Sequence, residues 1–138
     1  MIRSATAHWE GNLKDGKGNL STQSGVLKHT NYSFKTRFED GEQGTNPEEL
    51  LAAAHAGCFT MAVSAMLNDK GITASQLDTE ATLTMEGLTV TGIHLKIKGL
   101  VPGLTAEEFT TTVKDAEQNC VISKTLKIPI TSEAHFEI

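Results

Sequence analysis

The stretch Gly44-Thr45-Asn46-Pro47-Glu48-Glu49-Leu50-Leu51-Ala52-Ala53-Ala54-His55-Ala56-Gly57-Cys58-Phe59, continued to Lys70-Gly71, decides how the rest of the chain must fold. Asn46 can cap a helix, and Pro47 suits the first helical position, where no amide hydrogen is needed. Glu49 stands three residues after Asn46, as in a capping box. Gly57 is the one glycine between Pro47 and Lys70, and Gly71 supplies a C-terminal stop. At ~1.5 Å per residue such a helix is roughly 36 Å long, which is much for a small domain. Ala, Leu, Phe, Met and Val occupy nearly its whole circumference, with Thr60, Ser64 and Asn68 as a polar row. A helix apolar on most sides is buried on most sides. Either the rest of the chain wraps it or a second subunit packs against it, and Ala52, Ala53, Ala56 and Gly57 would let another backbone come close.

Working outward, the N-terminal third reads as a β-meander. Ala5, Ala7 and Trp9 alternate with polar neighbours, Asp15-Gly16-Lys17-Gly18 offers a turn, and residues 19–23 and 32–38 read as two further strands. Beyond Gly71 the period is two. Leu77, Thr79, Ala81, Leu83 and Met85 form one face and Ile93, Leu95 and Ile97 another, so the two runs read as an antiparallel hairpin turning near Gly87. The outward rows are acidic on one strand and carry lysines on the other, which favours cross-strand pairing. Thr105-Ala106-Glu107-Glu108 is a second capping box, opening a helix to about Gln118, and Val121–Leu126 reads as a short further helix. Ile130 to Ile138 alternates again as a last strand. Strand blocks separated by a few helices, without βαβ rhythm, indicate α+β.

The chain has 138 residues, 38% of them hydrophobic and 21% charged, which fits a single domain spanning residues 1–138. A net charge of −5 without a basic cluster argues against nucleic-acid and membrane-surface partners. No run of eighteen apolar residues is present and the first residues lack a secretion signal, so a cytoplasmic, reducing setting without a membrane span is expected. Two cysteines in such a setting are either core residues or a redox pair.

Cys58 lies inside the apolar helix, where a cysteine often serves as a small hydrophobe. Arg37 sits in a strand-like run, Glu48 falls in the first helical turn, where any carboxylate benefits from the helix dipole, and Cys120 follows the second long helix. Each has a purely structural account when taken singly. His55 is three residues before Cys58 and shares its face, yet zinc typically needs about four ligands and the other histidines are scattered, so no metal site is expected. No phosphate-cradling glycine loop and no Gly-x-Ser-x-Gly elbow occurs.

Thr45-Asn46-Pro47-Glu48-Glu49-Leu50-Leu51 followed by Ala52 to Phe59 closely resembles the signature helix of the OsmC/Ohr family of osmotically inducible and organic-hydroperoxide-resistance proteins. The likeness extends over nearly the whole chain, through Ala7-His8-Trp9-Glu10-Gly11, Gly16-Lys17-Gly18, Ser24-Gly25-Val26-Leu27, Arg37-Phe38-Glu39 and Cys120 with Ser123-Lys124. The arginine shortly before the helix is similar to the OsmC branch rather than the Ohr branch. The resemblance implies an intertwined homodimer in which antiparallel sheets wrap central helices. It also implies a cofactor-free peroxidase that reduces organic hydroperoxides, and hydrogen peroxide more weakly, in defence against oxidative and osmotic stress. Residue by residue, Cys58 matches the peroxidatic thiol, Cys120 the resolving thiol, Arg37 the cation beside the thiolate and Glu48 the acid that holds it. An external dithiol, for instance a lipoyl-bearing protein, would restore both thiols. Val121-Ile122-Ser123 departs from the family's Pro-Val-Ser after the second cysteine, leaving the backbone at Cys120 less constrained. A small apolar ligand-binding protein and a redox sensor are the alternatives.

Overall fold

The computed structural model describes residues 1–137, which divide into two compact units, Met1–Leu50 and the remainder from Leu51. In the first unit, β1 (Ala5–Glu10), β2 (Lys17–Thr22) and β3 (Thr30–Tyr32) form an antiparallel sheet in that order. Gly18 faces Trp9 on one side and Tyr32 on the other. A Cβ at Gly18 would lie 2.5 Å from the Tyr32 ring and 2.6 Å from that of Trp9. Only glycine therefore lets the two rings approach edge-on to 5.6 Å.

The strand expected over 32–38 ends at Tyr32, and Phe34–Phe38 is instead a short helix, α1. The cause is local. Ser33 Oγ accepts from the Thr36 amide at 3.2 Å while Thr36 Oγ1 accepts from the Ser33 amide at 2.7 Å, a reciprocal cap that a strand would forfeit. Phe34 and Phe38, four residues apart, then bring their rings to 4.9 Å on one helical face. Arg37 thus projects from a helix and not from a strand.

Helix α2 runs Pro47–Asp69. The Glu49 amide donates to Asn46 Oδ1 at 2.7 Å, as the cap requires, but the Glu49 carboxylate accepts from the Thr45 hydroxyl at 2.9 Å instead of returning to Asn46. At the other end Gly71 adopts φ +74° and the Ile72 amide reaches the Leu67 carbonyl at 3.0 Å, closing the helix in a Schellman-type turn. Within the second unit a single row, His55, Phe59, Val63 and Leu67, is buried. The opposite face stays open: Ala53, Gly57 and Ala65 are exposed and Met61 is 75% exposed. By length and composition alone α2 would also be long and apolar enough to cross a membrane, a test that the core helix of a domain passes as well. Its buried row packs in a protein core, as the central helix of a domain does.

That core is built on the second sheet. β4 (Gln76–Glu86) and β5 (Thr89–Leu100) pair antiparallel, with Asp78 opposite Lys98 and Glu80 opposite Lys96. The last strand, β6 (Ile130–Glu137), lies beside β5 but parallel to it, so this sheet is mixed where only antiparallel pairing was expected. The reason is the crossover: α3 (Ala106–Asn119) and α4 (Val121–Thr125) carry the chain back along the sheet, and β6 re-enters in the direction of β5. Ile93, Leu95 and Ile97 of β5, Phe109, Val113 and Ala116 of α3, and Phe59, Val63 and Leu67 of α2 form one cluster. Each large side chain removed from water there contributes about 1.5–3 kcal/mol before the entropy of ordering it is set against it.

Candidate active site

Helix α1 and the first turn of α2 bring Arg37 and Glu48 together. Arg37 Nε donates to Glu48 Oε1 at 2.6 Å, with the guanidine side chain 40% and the carboxylate side chain 16% exposed. The Arg37 guanidinium also stands over the Phe38 ring, 5.1 Å from its centroid. Only Nε is used: Nη1 and Nη2 make no hydrogen bond among the described residues, so up to four N–H groups remain for another acceptor. Glu48 Oε2 is buried and unpartnered among the described residues. The carboxylate therefore holds the guanidinium through one oxygen and keeps lone pairs in reserve. Trp9, Leu13, Tyr32, Phe34, Phe38 and Pro47, with Arg37, line a cavity of about 300 Å³ in the same unit. It is aromatic-walled with one fixed cation, a shape suited to an apolar molecule carrying a polar end.

Both cysteines belong to the second unit and both are free thiols. Cys120 is a 2% exposed member of the core cluster, and half-buried Cys58 packs against that same cluster. Cys120 caps α4 with its sulfur. The Ser123 amide donates to Sγ at 3.3 Å, and the Cys120 thiol donates to Ser123 Oγ at 3.1 Å. Val121 is the first residue of α4, where proline is also well accommodated, and the cap forms without it.

Ser123 Oγ makes a further contact with His55 Nε2 at 2.8 Å. His55 is fully buried, and burial pushes its pKa below the usual histidine value, so the imidazole is neutral at pH 7. His55 lies one turn before Cys58 on α2, where residues three apart are neighbours. The chain Cys120–Ser123–His55 thus ties the resolving-cysteine candidate to the helical turn that carries Cys58. The sequence marked His55 as a possible ligand and left open whether it tunes the Cys58 thiol. It left Ser123 without a role, although a serine three residues after a helix-capping cysteine is the signal that places its hydroxyl beside the sulfur. Among the described residues no group of three or more His, Cys, Asp or Glu is arranged to hold a metal ion.

Two reduced thiols on one core, the inner one hydrogen-bonded towards a buried histidine, define a thiol protein of the α+β class. Comparison with known proteins narrows that class. The family model described as OsmC-like protein matches residues 39–134. The chain is 49% identical over 129 residues to peroxiredoxin OsmC of Escherichia coli, covering 91% of this chain and 90% of that one. It is 32% identical to organic hydroperoxide resistance protein OhrA of Bacillus subtilis, over 60% of each chain. The solved OsmC-like protein of Mycoplasma pneumoniae superposes with a TM-score of 0.78 at 16% identity, covering 100% of this chain and 99% of that one, and so shares the fold. The chain belongs to the OsmC-like family and is a peroxidase of the peroxiredoxin type.

Proposed function

We propose that this peroxidase reduces organic hydroperoxides, and hydrogen peroxide more weakly, with two cysteines and no cofactor. The observation that carries the reading is the placement of the thiols on one core, Cys58 at its margin and Cys120 within it. A thiol that meets substrate must be reachable, and one that only meets its partner need not be. In the first step the Cys58 thiolate attacks the distal peroxide oxygen. The O–O bond breaks, the alkoxide takes a proton and leaves as alcohol, and Cys58 is left as a sulfenic acid. Arg37 favours the thiolate and donates to the peroxide, and Glu48 fixes the guanidinium through Nε. The aromatic cavity beside Arg37 supports an alkyl or aryl substrate over a small polar one. Cys120 condenses with the sulfenic acid to a disulfide, and an external dithiol, such as a lipoyl-bearing protein, restores both thiols by exchange. A reducing compartment such as the cytoplasm keeps that dithiol available.

Cys120→Ser is the direct test. The variant is expected to consume about one equivalent of organic hydroperoxide and then accumulate sulfenic acid, read by dimedone labelling and mass spectrometry. Multiple turnovers supported by the dithiol at the wild-type rate would remove Cys120 from the reaction. Turnover well beyond one equivalent in the wild type separates this reading from a redox sensor that is oxidised once.

The reading includes a homodimer. The open face of α2 presents small residues at four-residue spacing, Ala53, Gly57 and Ala65, around exposed Met61. Covering such a face removes apolar surface from water without bulky side chains to displace. Sedimentation analysis is expected to give a dimer that Met61→Arg converts to monomer, and a monomeric wild type would overturn this part.

A further inference from the structure

The proton of the buried Cys120 thiol has to go somewhere when that sulfur attacks, and the structure offers one path. Cys120, Ser123 and His55 are 2%, 8% and 0% exposed, so water has little access to the group. The thiol donates to Ser123 Oγ at 3.1 Å. A serine hydroxyl has a single hydrogen, so with its oxygen accepting from sulfur that hydrogen is directed to His55 Nε2, 2.8 Å away. Nε2 is then the acceptor of a neutral imidazole, in keeping with its burial. His55 Nδ1 is buried and has no partner among the described residues. Satisfying buried polar groups does not explain this arrangement. An apolar side chain at position 55 would avoid the cost of an orphaned ring nitrogen, so the imidazole is retained at a penalty.

We propose that His55, acting through Ser123, accepts the proton of Cys120 in the step that closes the disulfide. The inference rests on Cys120 being the resolving thiol. As the Cys120 proton moves to Ser123 Oγ, the serine proton moves to His55 Nε2, leaving a thiolate and an imidazolium. The chain then reverses its polarity without movement of heavy atoms: the Ser123 hydroxyl and amide both donate to the sulfur, and Nε2–H donates to Ser123 Oγ. The thiolate forms the S–S bond with Cys58 while the S–O bond of the sulfenic acid breaks. The departing hydroxide becomes water with one proton, and the imidazolium gives up the one it received. One water is released, the sulfenic sulfur is reduced, the thiolate sulfur is oxidised, and no further oxidant or reductant is consumed.

The test is a single turnover of the reduced full-length protein with one equivalent of cumene hydroperoxide. Loss of peroxide and formation of the disulfide are followed separately by acid quench and mass spectrometry. His55→Gln keeps a hydrogen-bond acceptor, its Oε1, near the Nε2 position but cannot take up a proton, and Ser123→Ala interrupts the path. Both are expected to consume peroxide within about twofold of the wild-type rate and to close the disulfide about 10²-fold more slowly, the lower end for general base catalysis. Ser123→Thr, which retains the hydroxyl, is expected to recover most of the loss. Wild-type closure rates in His55→Gln and Ser123→Ala would overturn the relay, as would an equal slowing of both steps, the mark of a scaffold role. A wild type that never forms the Cys58–Cys120 disulfide would instead sink the underlying assignment of Cys120, and the relay with it.

Discussion

Replacing Cys58 with serine is expected to reduce dithiol-dependent turnover of an organic hydroperoxide to the uncatalysed background, a loss of at least ~10³-fold. The proposed reaction begins with nucleophilic attack on a peroxide oxygen, and no other group can inherit that role. A serine hydroxyl stays protonated at neutral pH and is a poor nucleophile without a general base, and it cannot store the oxygen as a sulfenic acid. Cys120 cannot substitute, because it is 2% exposed and committed to Ser123. The exchange of sulfur for oxygen at a half-buried position changes little volume, so folding is expected to survive. A melting temperature within a few degrees of the wild type, measured on the same preparation, keeps a loss of activity attributable to chemistry. Peroxide consumption by ferrous–xylenol orange assay at more than a tenth of the wild-type rate would show that the nucleophile lies elsewhere.

Arg37→Met carries the second-largest expected effect, a fall in kcat/KM of ~10²–10³, the range found when one donor aimed at a developing oxyanion is removed. Methionine preserves much of the apolar stem, so what is lost is the charge, its N–H groups and the guanidinium's contact with the Phe38 ring. Glu48 is then left with neither oxygen bonded to a cation, although its side chain is only 16% exposed. Arg37→Lys is expected to be intermediate, because an ammonium keeps the charge but cannot donate to Glu48 and to a peroxide through one planar fork. Iodoacetamide labelling of Cys58 at pH 6 is the companion measurement. The proposed role of Arg37 beside the attacking sulfur predicts slower labelling of the variant than of the wild type. Labelling and turnover both within threefold of wild type would dissociate Arg37 from the reaction.

The parts of this protein legible in its sequence are those governed by neighbours along the chain. Both ends of α2 follow from Asn46, Pro47 and Gly71, and α3 opens on a reciprocal cap between Thr105 and Glu108. The β4–β5 hairpin, with lysines set against acids, follows from period-two alternation around Gly87. Helix α1 was just as local, yet an apolar-polar alternation over 32–38 concealed the Ser33–Thr36 cap, and two reciprocal hydrogen bonds outweighed β propensity. For the candidate site, sequence could nominate Arg37, Glu48, Cys58 and Cys120, but only folding shows that Arg37 reaches Glu48 through Nε alone.

By itself, then, the sequence determined helices α2, α3 and α4, the hairpin, the α+β class and the residues fit for thiol chemistry, because caps, turns and hydrophobic period act over a few residues. Only the tertiary structure decided that β6 runs parallel to β5, that one face of α2 stays open, and that His55 meets Ser123, 68 residues further on. Those outcomes depend on which distant surfaces exclude water from one another, and packing of that kind leaves no periodic trace in the order of the amino acids.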